Sequence, residues 1–386
     1  MSEVFSLPKI VAGFVAVLVG YTSSVAIVLQ AAAQLNATVA QTNSWLWVLG
    51  IGMGVTCIGL SLRYKAPVLT AWSTPGAAVI ATSAGYSLPE AVGAMLFSSG
   101  LMLILGLTGA FEKVIERIPK PLAGAMLAGV LLPFALKMFL SAQEATLLVA
   151  CMFTVFMVVR LMWAQYAVVL TLVVGGVLAG VLGQTHFAEV TLSFAEPQWV
   201  SPEFSVSVLL GLGLPLFMVT MASQNVPGIS MLRSFGYQTP ASPLMVSLGA
   251  TGVVAAPFGG FAYSLAAITA AICMSEGAGK NPQQRYWSSV WAGVFYLATG
   301  ILGATVVAVF AAVPNALVVT IAALALIPTI LANLNVALAE RQAQEAALIT
   351  FMATASGFTL FGIGSAFWGM VLGVAVYTLV SKLKPQ

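Results

Sequence analysis

Residues 66–78 read Ala66-Pro67-Val68-Leu69-Thr70-Ala71-Trp72-Ser73-Thr74-Pro75-Gly76-Ala77-Ala78, and this stretch cannot form an uninterrupted membrane helix. Pro67 and Pro75 lack a backbone N–H, and each favours extended geometry in the residue before it. The β-branched and aromatic residues between them favour a strand. From Pro75 onward the sequence is typical of a helix with Pro in its first turn and Ser73 or Thr74 as its cap. Irregular backbone at membrane depth is tolerated where it is buried in protein or lines a cavity, so this stretch is predicted to hold one side of a substrate site.

The composition predicts an all-α polytopic membrane protein. Of the 386 residues, 60% are hydrophobic and 6% are charged, whereas a soluble domain has about 25% charged residues. The mean hydropathy is +1.03. An enzyme is not expected, because the chain has a single histidine, His186, no aspartate and three widely spaced cysteines in apolar runs. The same counts predict no metal and no cofactor.

The hydropathy pattern predicts fourteen membrane spans. They are residues 8–34, 44–61, 66–83, 88–108, 119–139, 144–160, 165–184, 205–232, 242–256, 257–275, 287–312, 314–333, 345–360 and 363–381. If the N-terminus is cytoplasmic, all but one of the 14 basic residues fall in cytoplasmic segments, the exception being Lys137. This distribution obeys the positive-inside rule and predicts that both termini lie on the cytoplasmic side of the inner membrane.

Matching motifs predict an inverted repeat. The matched residues are Pro119 with Pro314, Pro133 with Pro328, Glu144 with Glu345, and Ala66-Pro67 with Ala256-Pro257. Each half then contains seven spans, and an odd number gives the halves opposite orientations. The predicted units are residues 1–184 (spans 1–7), an extracytoplasmic loop at 185–204, and residues 205–386 (spans 8–14).

The repeat pairs the opening stretch with residues 256–267, so spans 3 and 10 are both predicted to be half strand and half helix. Extended residues rise about 3.3 Å each, which places the break at Ser73 near the bilayer centre. The break at Tyr263-Ser264 approaches the same depth from the other side. Two helix N-termini, each carrying about +0.5 elementary charge, would then form an anion site that needs no Lys or Arg.

Polar and aromatic side chains are predicted at the same depth. Gln224 and Asn225 could hydrogen-bond a carboxylate without ionising, or could hold helices together. The hydroxyl groups of residues 21–24 have the same two interpretations, and the aromatic residues could stack on a substrate ring or pack in the protein. The predicted substrate-binding residues are Tyr21, Ser23, Ser24, Trp72, Ser73, Thr74, Gln224, Asn225, Phe261, Tyr263 and Ser264.

Several stretches of the chain resemble the benzoate:proton symporter (BenE) family, and the similarity covers essentially the whole sequence. They are residues 7–14, 20–24, 71–76, 222–228, 259–262 and 279–282. The resemblance implies secondary uptake of benzoate or a similar aromatic carboxylate with protons. It also implies a fold akin to the uracil/xanthine permeases, with fourteen spans in two inverted sets of seven, a core domain and a gate domain, and a site lined by spans 1, 3, 8 and 10.

One departure from the nucleobase permeases of that fold argues for an anionic substrate. Those proteins place acidic residues in spans 8 and 10, whereas this chain has Gln224 at the first position and no Glu within residues 258–275. The proton-coupling residue stays open: either Glu276 or Glu90 lies deeper than predicted, or the proton travels with the substrate. The expected partners are a small aromatic carboxylate, protons and the lipid bilayer, without nucleic acid; a homodimer is left open. A passive anion channel or exchanger of the same fold is the alternative function.

Overall fold

The computed structural model describes residues 5–111, 119–163, 167–190, 192–266, 269–360 and 363–383. Helices dominate this part of the chain. The helices of the first half are α1 (Leu7–Gln34), α2 (Val39–Tyr64), α3 (Thr74–Thr82), α4 (Leu88–Leu107), α5 (Lys120–Glu144), α6 (Thr146–Trp163) and α7 (Ala167–Val181). Two strands that pair with each other interrupt the helical pattern, β1 (Thr70–Trp72) and β2 (Tyr263–Leu265).

The second half contains one helix of mixed type. This helix, α8, has α-helical segments Val206–Val208, Leu214–Thr220 and Val226–Ser234, separated by π-helical turns at Leu209–Gly213 and Met221–Asn225. The remaining elements are α9 (Ala241–Ala255), α10 (Ala270–Met274), α11 (Tyr286–Ile301), α12 (Gly303–Ala311), α13 (Asn315–Leu338), α14 (Gln344–Ala355), the hairpin strands β3 (Thr359–Leu360) and β4 (Ile363–Gly364), and α15 (Ser365–Leu383).

Many of these helices are long enough to cross a membrane. By length and composition, eight of the described helices qualify, or nine if Pro282–Ile301 and Gly303–Ala311, which meet at 67°, form one span. The fourteen predicted spans each overlap a described helix or strand–helix segment. The count of fourteen remains a prediction, because several of the predicted spans are shorter than a membrane-crossing helix.

The helices pack as two sets around a central gap. In the first set α2 packs against α11, α4 against α9, and α1 against both α3 and α11. In the second set α5 packs against α13 and α14, α6 against α7, and α14 against α15. Contacts of α1 with α13 and of α3 with α5 join the two sets.

As predicted, residues 66–82 are extended first and helical afterwards. β1 pairs antiparallel with β2, with Ala71 opposite Ser264 and Trp72 opposite Tyr263. The pairing continues at both ends, where Ser73 N donates to Ala262 O at 2.9 Å and Ala266 N donates to Leu69 O at 2.9 Å. Each extended segment therefore satisfies the backbone groups of the other, which is what allows it to lie inside a membrane protein.

Side chains of α2 bond to β1 and to the extended residues before it. Thr70 N donates to Cys57 Sγ at 3.1 Å, and the Thr70 hydroxyl lies 2.6 Å from that of Thr56. The Ser61 hydroxyl donates to Val68 O at 3.0 Å. The buried Cys57 therefore both packs in the core and accepts a hydrogen bond from β1.

Two glycines permit the close approach of helices to β2. A Cβ atom on Gly228 of α8 would lie 2.5 Å from the Leu265 Cβ, and one on Gly52 of α2 would lie 2.4 Å from the Tyr263 ring. Any larger residue at either position would push β2 away from its supporting helix.

Candidate functional site

A cavity of about 420 Å³ lies between the two sets of helices, at the end of β1. One wall is formed by α1, α2, β1, α3, α8 and α11, with residues that follow β2, and the other by α6, α7 and α13. The lining side chains that could contact a ligand by polar or aromatic groups are Ser24, Trp72, Thr74, Gln224, Thr269 and Tyr296 on the first wall and Phe156, Arg160 and Thr329 on the second. The size suits a small molecule rather than a macromolecule.

Trp72 is held rigidly against this cavity. Its indole N–H donates to the Ser24 hydroxyl at 2.8 Å, and that hydroxyl donates to Gly20 O at 2.7 Å. Tyr21 packs edge-on against the Trp72 ring at a centroid distance of 4.8 Å. Trp72 and Ser24 line the cavity, whereas Tyr21 supports Trp72 from behind. The side chain of Ser23, another predicted site residue, lies outside the described part of the structure.

The start of α3 separates the roles of two adjacent hydroxyl residues. Ser73 is buried and caps the helix, its hydroxyl accepting from Gly76 N at 3.0 Å while its own N–H bonds to Ala262 O. Pro75 has no N–H. Thr74 is half-buried and lines the cavity. The side chain and N–H of Thr74 are therefore the groups through which this helix N-terminus meets the cavity.

Gln224 and Asn225 are neighbours that face in different directions. Gln224 is half-buried and lines the cavity. Asn225 is fully buried; its Oδ1 accepts from Leu265 N at 3.0 Å, and its Nδ2 lies 3.1 Å from the Met221 sulfur. Asn225 thus fixes β2 to α8 and does not line the cavity. Of the two roles considered for the amide pair, Asn225 has the one that holds structural elements together.

Pro227 does not interrupt α8. The helix continues through Met221–Asn225 as a π-helical turn, closed by a bond from Val226 N to Met221 O. Pro227 lies in the first turn of the next segment, where its missing N–H is tolerated. The wider π turn is a common device at functional sites.

The aromatic residues of span 10 are packed in the first set of helices, away from the cavity. Phe261 is fully buried and lies 5.7 Å from the Trp45 ring. The Tyr263 hydroxyl donates to Val48 O at 2.6 Å. The Ser264 hydroxyl donates to Ala71 O at 3.2 Å, across the strand pair. Of the two alternatives for these aromatic residues, stacking on a substrate ring or packing in the protein, Phe261 and Tyr263 have the second.

The second half-helix differs from its predicted form. Span 10 is predicted over residues 257–275 as half strand and half helix, but its described helix, α10, has only five residues and ends at Met274. Residues 267 and 268, at its start, lie outside the described part of the chain. From this segment Ala266 and Thr269 line the cavity.

Neither candidate proton carrier lies in the cavity. Glu90 forms a capping box at the start of α4, where its carboxylate accepts from Ser87 N at 2.9 Å. Glu276 is exposed on a short 3₁₀ turn that follows α10. Among the described residues, no glutamate is buried.

Five of these polar and aromatic lining residues were missed from sequence: Phe156, Arg160, Thr269, Tyr296 and Thr329. Arg160 corrects the expectation of a site without a basic residue. The charge pattern placed it in a cytoplasmic segment, but it lies in the last turn of α6 and lines the cavity. The four-residue spacing from Phe156 to Arg160, which puts both on one face of a helix, was the available signal. Tyr296 lies within an ordinary apolar helix and carries no comparable signal.

A wider cavity leads away from this site. It has a volume of about 930 Å³ and shares Gln224, Pro328 and Thr329 with the first cavity. Lys120 and Arg233 also line it. Around the far end of α3, the cavity that includes Thr82 and Pro133 is only about 30 Å³. The central cavity is therefore adjacent to a large space that Lys120 and Arg233 line.

Comparison with known proteins identifies relatives along the whole chain. Residues 3–379 match the family model described as "Benzoate membrane transport protein". The chain is 42% identical to the inner membrane protein YdcO of Escherichia coli (strain K12), over 99% of this chain and 98% of the relative. It is 36% identical to the benzoate membrane transport protein of Acinetobacter baylyi, over 100% of this chain and 98% of the relative.

Solved structures share the fold at low sequence identity. SLC26A9 matches with a TM-score of 0.63 and 14% identity, covering 100% of this chain and 67% of that chain. The transmembrane domain of the cyanobacterial bicarbonate transporter BicA matches with a TM-score of 0.62 and 13% identity, covering 97% of this chain and 96% of that domain. Together with the family match, these findings show a membrane transporter and not an enzyme.

Proposed function

Since the chain belongs to the benzoate membrane transport family, we propose that it imports benzoate or a similar aromatic carboxylate together with protons. The observation that carries this proposal is the cavity itself. Its walls contain the rings of Trp72, Phe156 and Tyr296, and among its described lining residues there is no acidic side chain. A carboxylate ligand would meet aromatic surface and hydrogen-bond donors without like-charge repulsion.

The ring and the carboxylate of the bound molecule would contact different residues. We place its ring against Trp72, because the Ser24 hydrogen bond and the Tyr21 contact hold that indole in one orientation. The carboxylate would then accept hydrogen bonds from Thr74 and Gln224, which line the same wall. The positive end of the α3 dipole favours the negative charge at that position.

Transport would proceed by alternating access between the two sets of helices. The cavity of about 930 Å³ beside Lys120 and Arg233 and the cavity of about 30 Å³ at the far end of α3 support an inward-open arrangement. In this proposal the first set is the core domain and the second set is the gate domain. The positive-inside rule assigns the basic side to the cytoplasm and both termini to that side. The membrane would be the inner membrane, as it is for the Escherichia coli relative by name.

Equivalent features in both halves support fourteen spans in two inverted repeats, residues 1–184 and 205–386 joined by 185–204. Pro119 and Pro314 occupy the N-cap positions of α5 and α13, and Pro133 and Pro328 lie inside the same two helices. The contact between α2 and α11 has a counterpart in the contact between α9 and α4. An inverted repeat requires this exchange, because span 2 corresponds to span 9 and span 11 to span 4.

The proton would travel with the substrate carboxylate. Glu90 caps a helix and Glu276 is exposed, so neither occupies the usual buried position of a proton carrier. An aromatic acid titrates near the Glu reference value of about 4.3, so its carboxylate can bind a proton at mildly acidic pH.

Uptake of labelled benzoate into proteoliposomes tests the proposal. An inward proton gradient should drive accumulation above that of protein-free vesicles, and a protonophore should abolish it. Gln224→Glu should reduce uptake, more strongly as the pH rises, because the introduced carboxylate ionises and repels the substrate. Absence of gradient-driven uptake would refute the proton-coupled mechanism.

A passive anion channel or exchanger is the second candidate. It is favoured by the fold shared with an anion transporter and a bicarbonate transporter, as those proteins are named. An anion current or exchange that is independent of the proton gradient would support this alternative.

A further inference from the structure

Arg160 is the one formally charged residue among the described residues that line the central cavity. It projects from the wall formed by α6, α7 and α13, whereas Thr74 and Gln224 belong to the opposite wall. An arginine keeps its charge in proteins at all relevant pH values. The wall opposite the hydrogen-bond donors therefore carries a permanent positive charge.

Local packing holds the arginine at this position. Its guanidinium carbon lies 5.8 Å from the centroid of the Phe156 ring, one helical turn earlier on α6. Phe156 is 1% exposed and is therefore a fixed platform. A cation over an aromatic face is stabilised by the ring quadrupole, while the guanidinium edge stays open to other partners. No carboxylate in the described part of the chain pairs with Arg160.

A half-buried charge that has no counterion among the described residues favours binding of an anion. Guanidinium groups pair with carboxylates through two parallel hydrogen bonds, which are stronger than those between neutral groups. The aromatic platform, the unpaired charge and the facing donors are thus complementary to an aromatic molecule that carries one carboxylate.

We propose that Arg160 binds the carboxylate of the transported molecule from the wall opposite Thr74 and Gln224, and thereby selects anions over neutral aromatic molecules. This inference rests on the proposed function, because it assigns a contact of the same substrate. It also means that the bound anion bridges the two sets of helices.

Ligand binding to the purified protein in nanodiscs tests this assignment by isothermal titration calorimetry. The probes are benzoate, the neutral isostere benzamide, and bicarbonate. The variants are Arg160→Gln and Arg160→Lys, with Arg341→Gln as the matched control because Arg341 is exposed in the turn before α14. Arg160→Gln should weaken benzoate binding by about 10- to 100-fold, since hydrogen bonds to charged groups are worth about 1.5–3 kcal/mol.

The pattern across probes separates binding from folding. Arg160→Gln should leave benzamide affinity unchanged, Arg160→Lys should give an intermediate loss for benzoate, and Arg341→Gln should match the unmodified protein. An equal loss for benzoate and benzamide would mean that Arg160 only shapes the cavity, and the inference would be overturned.

The probes also separate this inference from the proposed substrate. If the unmodified protein binds bicarbonate but not benzoate, and Arg160→Gln weakens bicarbonate, the proposed substrate is wrong while the role of Arg160 stands. The role assigned to Arg160 is wrong if the Arg160→Gln variant binds every anion with the same affinity as the unmodified protein does. It is also wrong if the unmodified protein binds none of the anions.

Discussion

The two segments that carry the paired strands, residues 66–82 and 256–274, share a backbone design but differ in what their side chains do. In the first, Trp72 and Thr74 line the central cavity and a nine-residue helix follows the strand. In the second, Phe261 and Tyr263 are buried against α2, and the described helix has five residues. The first segment therefore meets the ligand space, and the second mainly braces the first.

This difference shows that backbone symmetry need not extend to chemistry. The strands are cross-strand partners at every position, yet Trp72 faces the cavity and its partner Tyr263 donates to Val48 O in the interior. Two segments that both run from strand to helix can thus have different roles, since one lines the cavity and the other packs behind it. Substitutions at equivalent positions should separate the two roles.

The largest effect is expected where α8 supports the second segment. Gly228→Ala places a Cβ 2.5 Å from that of Leu265, so β2 must move and unfolding becomes easier by about 1–3 kcal/mol. Gly100→Ala is the matched control, because a Cβ there meets no atom within 4 Å. Thermal unfolding in detergent should show a lower midpoint temperature for Gly228→Ala only. Equal midpoint temperatures for the two variants would mean that the fold does not require a glycine at position 228.

A smaller and more selective effect is expected at the start of α3. Thr74→Val removes a hydroxyl from the cavity, so benzoate should bind about tenfold more weakly, which is the lower end of the range for a hydrogen bond to a charged group. The melting temperature should not change. Ser73→Ala removes the helix cap and should cost about 1 kcal/mol of stability. Calorimetry and thermal unfolding of both variants check the separation. If Ser73→Ala lowers affinity as much as Thr74→Val does, at unchanged stability, the roles assigned to these two residues are reversed or shared.

The smallest effects are expected from two cross-strand partners that each lose one hydrogen bond. Trp72→Phe loses the bond to Ser24 that orients the ring, and benzoate affinity should fall severalfold, in line with about 1 kcal/mol. Tyr263→Phe loses the bond to Val48 O, and stability should fall by a similar amount with benzoate affinity unchanged. A loss of affinity in Tyr263→Phe alone would contradict the division between the two segments.

Sequence reasoning reached the strand–helix segments because prolines and β-branched residues act locally. It also placed Gln224 and Thr74 at the cavity, since depth along a span follows from counting residues. It did not distinguish Gln224 from Asn225, because the π turn that directs one amide to the cavity and the other to β2 depends on tertiary packing. Arg160 was missed because positive charges near helix ends usually lie in loops, and only the packing of α6 beside the gap brings this one to the cavity.

The strand pair has a consequence for biosynthesis. Thr70 lies opposite Leu265 in the strand pair, and Leu265 is more than 190 positions later in the chain. At about 5–20 residues per second, the ribosome needs on the order of 10–40 s to supply that partner. During this interval the groups that later bond to the second segment, such as the Ser73 N–H and the Leu69 C=O, cannot be left unpaired in lipid, where each would cost several kcal/mol. The nascent first half therefore needs water or another protein at this segment, and the ligand cavity is completed only after the second half has entered the membrane.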